Sequence, residues 1–260
     1  MSYGISTSCL YPMNTEEALD LLGRNGIKTC EVFLNSISET TAEFAKLLNS
    51  IKEEYGMKIT AVHPFSSFSE TFMLFGEYER RYLDVIDFYK RFFEVTALLG
   101  ADISIIHGMR TVGKLPHEKY FERFAGLAES GREFNVRVAQ ENVNGHFSAT
   151  PDFLEKMKNY LKDDFKLVFD VKQAVRSGFN PVEFAEKFKN DIIRIHISDH
   201  NPQSDCLPPG RGCFDFKTLF SVMNSVRYGG DYIIELYREG FGTVDELIES
   251  FEHLKSINNT

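Results

Sequence analysis

Four apolar segments in the second half of the chain each run into a residue that can hold a metal ion. They read Val-Arg-Val-Ala-Gln-Glu141, Lys-Leu-Val-Phe-Asp170, Ile-Ile-Arg-Ile-His196 and Tyr-Ile-Ile-Glu235. Glu141, Asp170, His196 and Glu235 together offer three anionic oxygens and one imidazole. A single carboxylate at the end of an apolar run is ordinary. Three carboxylates brought together repel one another and need compensation, and one bound cation compensates all of them at once. With oxygen and nitrogen donors and no thiolate, the set favours Mn²⁺ or Mg²⁺, and Co²⁺ and Zn²⁺ also suit it.

Two histidines end earlier apolar runs, His63 in Ala-Val-His-Pro and His107 in Ile-Ile-His-Gly. They read either as groups for a substrate hydroxyl or a second metal position, or as loop histidines bonded to backbone. Phe65, Phe68, Phe72 and Phe75 follow His63 and could cover a site or pack on outer helices. A long polar segment from Ser198 to Asp215 contains His200 and the run Pro-Pro-Gly-Arg211-Gly. Arg211 between glycines is suited to clamp an anionic substrate group, with His200 beside it. The bland alternative is a rigid turn carrying a solvated arginine.

These residues need a frame that brings them to one place. Short apolar runs and helical stretches alternate along the whole chain. Strands are expected at Tyr3–Thr7, Thr29–Phe33, Lys58–His63, Ile103–His107, Val136–Glu141, Lys166–Val171, Ile192–Ile197 and Tyr232–Leu236. Helices are expected at Thr15–Arg24, Glu39–Tyr55, Glu77–Leu99, Glu118–Phe134, Pro151–Lys162, Pro181–Asn190, Phe216–Arg227 and Val244–Lys255. Gly26, Gly56 and Gly100 stop helices, and Pro151 and Pro181 stand where a first helical turn tolerates the missing N–H. Continuous apolar strands alternating with helices predict a parallel sheet covered on its outside. Eight such units predict a closed α/β barrel of the (β/α)8 type, in which the carboxyl ends of the strands share one mouth. An open doubly wound sheet is the alternative, but no Gly-x-Gly-x-x-Gly follows any strand to support a dinucleotide fold.

The 260 residues suit one barrel domain spanning 1–260, since about 250 residues is typical. A formal charge of −9 disfavours a nucleic-acid surface, which needs a basic stripe. It leaves room for a small anionic substrate, because local charge in a cleft can oppose net charge. No apolar run reaches the roughly 18 residues of a membrane span. The start, Met-Ser-Tyr-Gly-Ile-Ser, has no signal-peptide pattern. Cys9, Cys30, Cys206 and Cys213 form no Cys-x-x-Cys pair and suggest reduced thiols in the cytoplasm.

With the Glu, Asp, His, Glu series and the His-Ile-Ser-Asp…Pro-Gly-Arg-Gly…Asp run in view, the chain resembles sugar phosphate isomerases and epimerases of the xylose isomerase-like TIM-barrel superfamily. The resemblance covers nearly the whole length and is carried mainly by Val138–Glu235. It implies one divalent ion, often manganese, held by Glu141, Asp170, His196 and Glu235. It also implies that Glu141 and Glu235 shuttle the substrate proton. The reaction would then be isomerisation or epimerisation of a sugar, sugar phosphate or related polyol through an enediolate. No nucleic acid or membrane partner is expected, and a homo-oligomer is compatible. One position departs from the pattern. Ketose 3-epimerases and barrel-type abasic-site endonucleases carry His three residues after the Asp, where this chain has Gln173. Glutamine can bond a sugar oxygen but is a poor metal ligand. The endonucleases also carry an Asp-x-His pair where Asp205-Cys-Leu207 stands here. A polyol dehydratase is the first alternative, followed by an endonuclease and a non-catalytic sugar-binding barrel.

Overall fold

Each central strand is a short apolar run in which every second side chain faces the same way, and that period decides what reaches the lumen. The computed structural model describes residues 2–257. In chain order the elements begin with β1 (Ser2–Ser6), α1 (Thr15–Arg24), β2 (Thr29–Phe33), α2 (Ala42–Glu54), β3 (Lys58–His63), α3 (Glu70–Met73), α4 (Glu79–Leu98) and β4 (Ile103–Ile106). There follow α5 (His117–Arg132), β5 (Arg137–Glu141), α6 (Pro151–Leu161), β6 (Leu167–Asp170), α7 (Val171–Arg176), α8 (Pro181–Phe188) and β7 (Ile192–Ile197). The last are β8 (Asp199–Asn201), β9 (Ser204–Leu207), α9 (Phe216–Ser225), β10 (Asp231–Ile234) and α10 (Val244–Ile257).

Eight strands close into a parallel barrel in the order β1-β10-β7-β6-β5-β4-β3-β2. Closure removes the open-sheet alternative. A patch of Ala61, Ile103, Ile105, Ala139 and Val168 is packed separately from the large apolar shell. Two residues beyond Ala61, Ile105, Ala139 and Val168, on the same strand face, come His63, His107, Glu141 and Asp170. Arg194 and His196 repeat the spacing on β7, and Ile233 and Glu235 repeat it at β10. Alternation thus stacks a polar layer on an apolar one and points the chemistry at the mouth. Register sets Asp170 beside His196, and Glu141 beside Val168, two residues before Asp170 on β6.

Helix ends follow local rules. Gly26, Gly56 and Gly100 take positive φ of 81°, 58° and 74°, which a side chain would resist. Thr150 and Asn180 cap the helices that open on Pro151 and Pro181. Differences from the sequence reading are local. The helix expected from Glu39 begins at Ala42, because Thr41 accepts from the Phe44 N–H as its cap. His196 lies one residue inside β7, and Glu235 lies just after β10. The 198–215 segment holds a two-stranded hairpin, β8–β9, rather than an irregular loop. Helix α7 follows β6 without a connecting loop, since Asp170 itself caps it.

Candidate metal centre at the barrel mouth

Asp170 serves two purposes at once. Its Oδ1 accepts from the Gln173 N–H at 2.9 Å, closing the first turn of α7, while Oδ2 is left facing the lumen. Around it Glu141, Asp170, His196 and Glu235 bring one ligand atom each to within 4.8 Å of the others. His196 is fully buried, and Glu31 sits behind it with Oε2 at 3.0 Å from Nε2. If Nε2 carries the proton toward that carboxylate, Nδ1 presents a lone pair to the mouth. Nδ1 lies 3.0 Å from Glu235 Oε2, 3.5 Å from Glu141 Oε1 and 3.8 Å from Asp170 Oδ2. It makes no aligned hydrogen bond to any described residue. A buried nitrogen ringed by carboxylate oxygens, with no aligned hydrogen bond to any, is what a shared cation would satisfy, so these residues fit a divalent ion.

The electrostatics follow from crowding. Burial alone would raise the Glu141 carboxyl, but His107, His196 and His63 hold it well below the usual range. Burial also opposes ionisation of Glu235, yet His196 and Lys172 keep it low. Asp170 carries the remaining strain. Burial pushes it up to about 7, against the pull of Lys172 and with Glu141 and Glu235 adding to the rise. Burial works against a charged His196, but Glu235 and Glu31 raise it well above the ordinary imidazole value.

His63 and His107 stand on the wall beside Glu141. His63 Nδ1 is 3.2 Å from the Pro64 carbonyl and its ring stacks on Phe33 with centroids 4.6 Å apart. The two Nε2 atoms are 2.9 Å apart, and His107 Nε2 is 3.0 Å from Glu141 Oε2. His63, His107 and Glu141 form a second cluster of suitable donors. His63 is buried and His107 is partly exposed, so His107 is the one that opens toward an incoming molecule.

Three expected substrate contacts are placed differently. Gln173 spends its side chain on the protein: Oε1 accepts from the Asn144 N–H at 3.0 Å, and Nε2 reaches the Tyr237 hydroxyl at 3.4 Å. His200 packs on Phe214 with centroids 5.4 Å apart. It lines a groove of about 730 Å³ along the β8–β9 hairpin, and none of the four donors lines that groove. Arg211 is turned to Glu249 on α10, 2.9 Å away, and is exposed. The cause is Asp199, whose carboxylate accepts from the backbone N–H groups of His200, Gly210, Gly212 and Phe214. The chain wraps that buried carboxylate so tightly that a Cβ at Gly212 would lie 2.3 Å from Asp199 Oδ1. The glycines therefore serve the turn, and the arginine between them points outward. The aromatic loop splits: Phe75 is buried and stacks on Tyr120, whereas Phe68 and Phe72 are exposed.

Three charged residues that complete the site were absent from the sequence reading. Lys172 is buried, with Nζ 2.5 Å from Asp170 Oδ2 and 3.2 Å from Glu235 Oε2. Glu31 backs His196, and Arg194 lies 3.4 Å from Glu31 and 3.3 Å from Asp231. A signal existed for each. Glu31 and Arg194 are charges inside otherwise apolar strands, where charge is seldom buried without a partner. Lys172 stands in the first turn after a strand-end Asp.

The whole barrel superposes on a D-tagatose 3-epimerase-like protein with a TM-score of 0.81 and 20% identity, covering 100% of this chain and 97% of that one. It also superposes on an IolI protein whose crystal structure holds a zinc atom, with a TM-score of 0.77, 18% identity and coverage of 99% and 97%. At such identities these likenesses establish the fold alone. Among curated relatives, an inosose dehydratase of Clostridium beijerinckii is 24% identical over 132 residues, 42% of this chain and 44% of that protein. The chain spans about half the length of the curated relatives it matches. Among the described residues no helix is long and apolar enough to cross a membrane. The model of the xylose isomerase-like TIM barrel family matches residues 19–257, and the chain belongs to that family.

Proposed function

We propose that this protein is a divalent-metal-dependent isomerase or epimerase acting on a sugar, sugar phosphate or related polyol. The observation that carries this reading is the buried His196 Nδ1, which lies 3.0–3.8 Å from three carboxylates without an aligned hydrogen bond to any of them. Glu141, Asp170, His196 and Glu235 would hold one ion, Mn²⁺ by preference, with Mg²⁺, Co²⁺ or Zn²⁺ as substitutes. When bound, such an ion supplies a Lewis acid that polarises a carbonyl oxygen and stabilises an enediolate.

The chain's own residues do the rest. Glu31 fixes the His196 ring from behind, with Arg194 beside it, so that the ligating nitrogen needs no reorientation. Glu141 and Glu235 flank the Asp170–His196 pair from either side in the barrel order, which suits one to take a proton from a substrate carbon and the other to return it. Return to the opposite face of the same carbon is epimerisation, and delivery to the neighbouring carbon is isomerisation. His107 can hydrogen-bond a substrate hydroxyl, steadied by His63. A second reading is dehydration of a cyclic polyol through the same proton abstraction, favoured by the inosose dehydratase relative. An abasic-site endonuclease would need further ligands where Gln173 and Leu207 stand.

Proton–deuterium exchange tests the proposal. Ketoses and inososes are incubated with protein and Mn²⁺ in D₂O and followed by NMR. The reading expects deuterium beside the carbonyl and a new epimer or aldose, all suppressed by chelator. Exchange with a product short of one water would select the dehydratase. No exchange in any compound, or exchange insensitive to chelation, would remove both.

A further inference from the structure

Lys172 is the one side-chain ammonium among the described residues that touches the donor cluster, and it is 2% exposed. It bonds to Asp170 Oδ2 and Glu235 Oε2. Those are the oxygens nearest His196 Nδ1 on their respective carboxylates, at 3.8 Å and 3.0 Å. The ammonium therefore sits on the atoms that an ion at the centre of the cluster would use. Its other flank is the Tyr237 ring, with Nζ 5.2 Å from the centroid. That ring is fixed by Arg176, whose guanidinium donates to the Tyr237 hydroxyl at 2.6 Å.

Resting on the metal reading above, we infer that Lys172 is a tethered cation that competes with the divalent ion for Asp170 and Glu235, and that metal loading displaces its ammonium toward the Tyr237 ring. Three carboxylates packed together repel, and one ammonium compensates part of that charge in the metal-free protein. Two cations cannot share the same oxygens in a buried site without strong mutual repulsion, so entry of the ion must move the lysine. The aromatic face gives the displaced charge a favourable resting place. The sequence supports the geometry. Lys172 lies in the first turn of α7, directly after the strand-end Asp170 that caps it, so its side chain is anchored at the site and only its flexible stem has to move. The device keeps the empty site folded and makes loading reversible.

Calorimetric titration of Mn²⁺ into the wild-type protein and Lys172→Met decides the point, with thermal unfolding recorded before and after loading. The expected result is at least a tenfold tighter Mn²⁺ affinity in the variant. Its metal-free form should unfold at a lower temperature and gain more from Mn²⁺ than the wild type does. Equal or weaker affinity in the variant, with clear binding in both, would overturn the competition and leave the metal site standing. No uptake by either protein would overturn both readings. Should Lys172→Met not fold, the wild-type protein labelled with ¹⁵N-lysine and titrated with Mg²⁺ gives the answer. A buried ammonium resonance that shifts in step with loading supports the inference, and one that stays unmoved while Mg²⁺ binds refutes it.

Discussion

At the scale of single residues, the site is a set of charges that are each tolerable only because of another. Glu141 is held ionised by three imidazoles, and Glu235 by His196 and Lys172. Both carboxylates are therefore ionised and able to accept a proton, although the same contacts weaken them as bases, since proton transfer is best served by a pKa near working pH. Glu141→Gln and Glu235→Gln should each lower solvent exchange at the substrate carbon by about 10²-fold or more at saturating metal, since an amide cannot take the proton. Near-normal turnover in either variant would remove that residue from the shuttle. Glu31 acts one step further back. Glu31→Gln should weaken Mn²⁺ binding by roughly 10–100-fold, as removal of the partner of a ligating histidine generally does, while substrate KM at saturating metal stays near the wild-type value. An unchanged metal affinity would make Glu31 a packing residue. The four donors were legible in sequence because each ends an apolar run. Glu31 and Lys172 were not singled out, because neither belongs to a repeated pattern and only the closed barrel brings Glu31 to His196 and Lys172 to Glu235.

At the scale of elements, the segment after β7 shows how a backbone requirement can mimic a binding motif. Pro-Pro-Gly-Arg-Gly has the small residues and the cation of an anion clamp. In the fold the glycines are there because the chain encircles Asp199, and Arg211 leaves the turn toward Glu249. Sequence spacing could not distinguish these outcomes, since the carboxylate at the centre lies eleven residues before Gly210. Asp199→Ala strips the acceptor from four backbone N–H groups. It should cost about 1–3 kcal/mol or more in urea unfolding, the usual penalty for leaving a buried donor unpaired. Arg211→Lys should change both stability and KM little, because an exposed ion pair contributes at most about 1 kcal/mol. A large rise in KM from Arg211→Lys would show that the loop closes over the substrate after all. The α7 helix was missed for a related reason: six residues following directly on a strand give too short a pattern to separate from loop.

At the scale of the whole molecule, the eight-strand barrel was readable because its strands are continuous apolar runs punctuated by helix stops, a rhythm few other architectures produce. Its register was not written there, and register sets Asp170 beside His196, while strand alternation puts the mouth layer of His63, His107, Glu141, Asp170 and His196 two residues beyond Ala61, Ile105, Ala139, Val168 and Arg194. The central claim is that this layer holds a divalent ion. Crystals grown with Mn²⁺, measured at the manganese absorption edge, test it most directly. The account predicts an anomalous peak about 2.0–2.3 Å from donor atoms of Glu141, Asp170, His196 and Glu235, with the Lys172 ammonium withdrawn from Asp170. Saturating Mn²⁺ that leaves no peak there, with Lys172 still bridging Asp170 and Glu235, would contradict it.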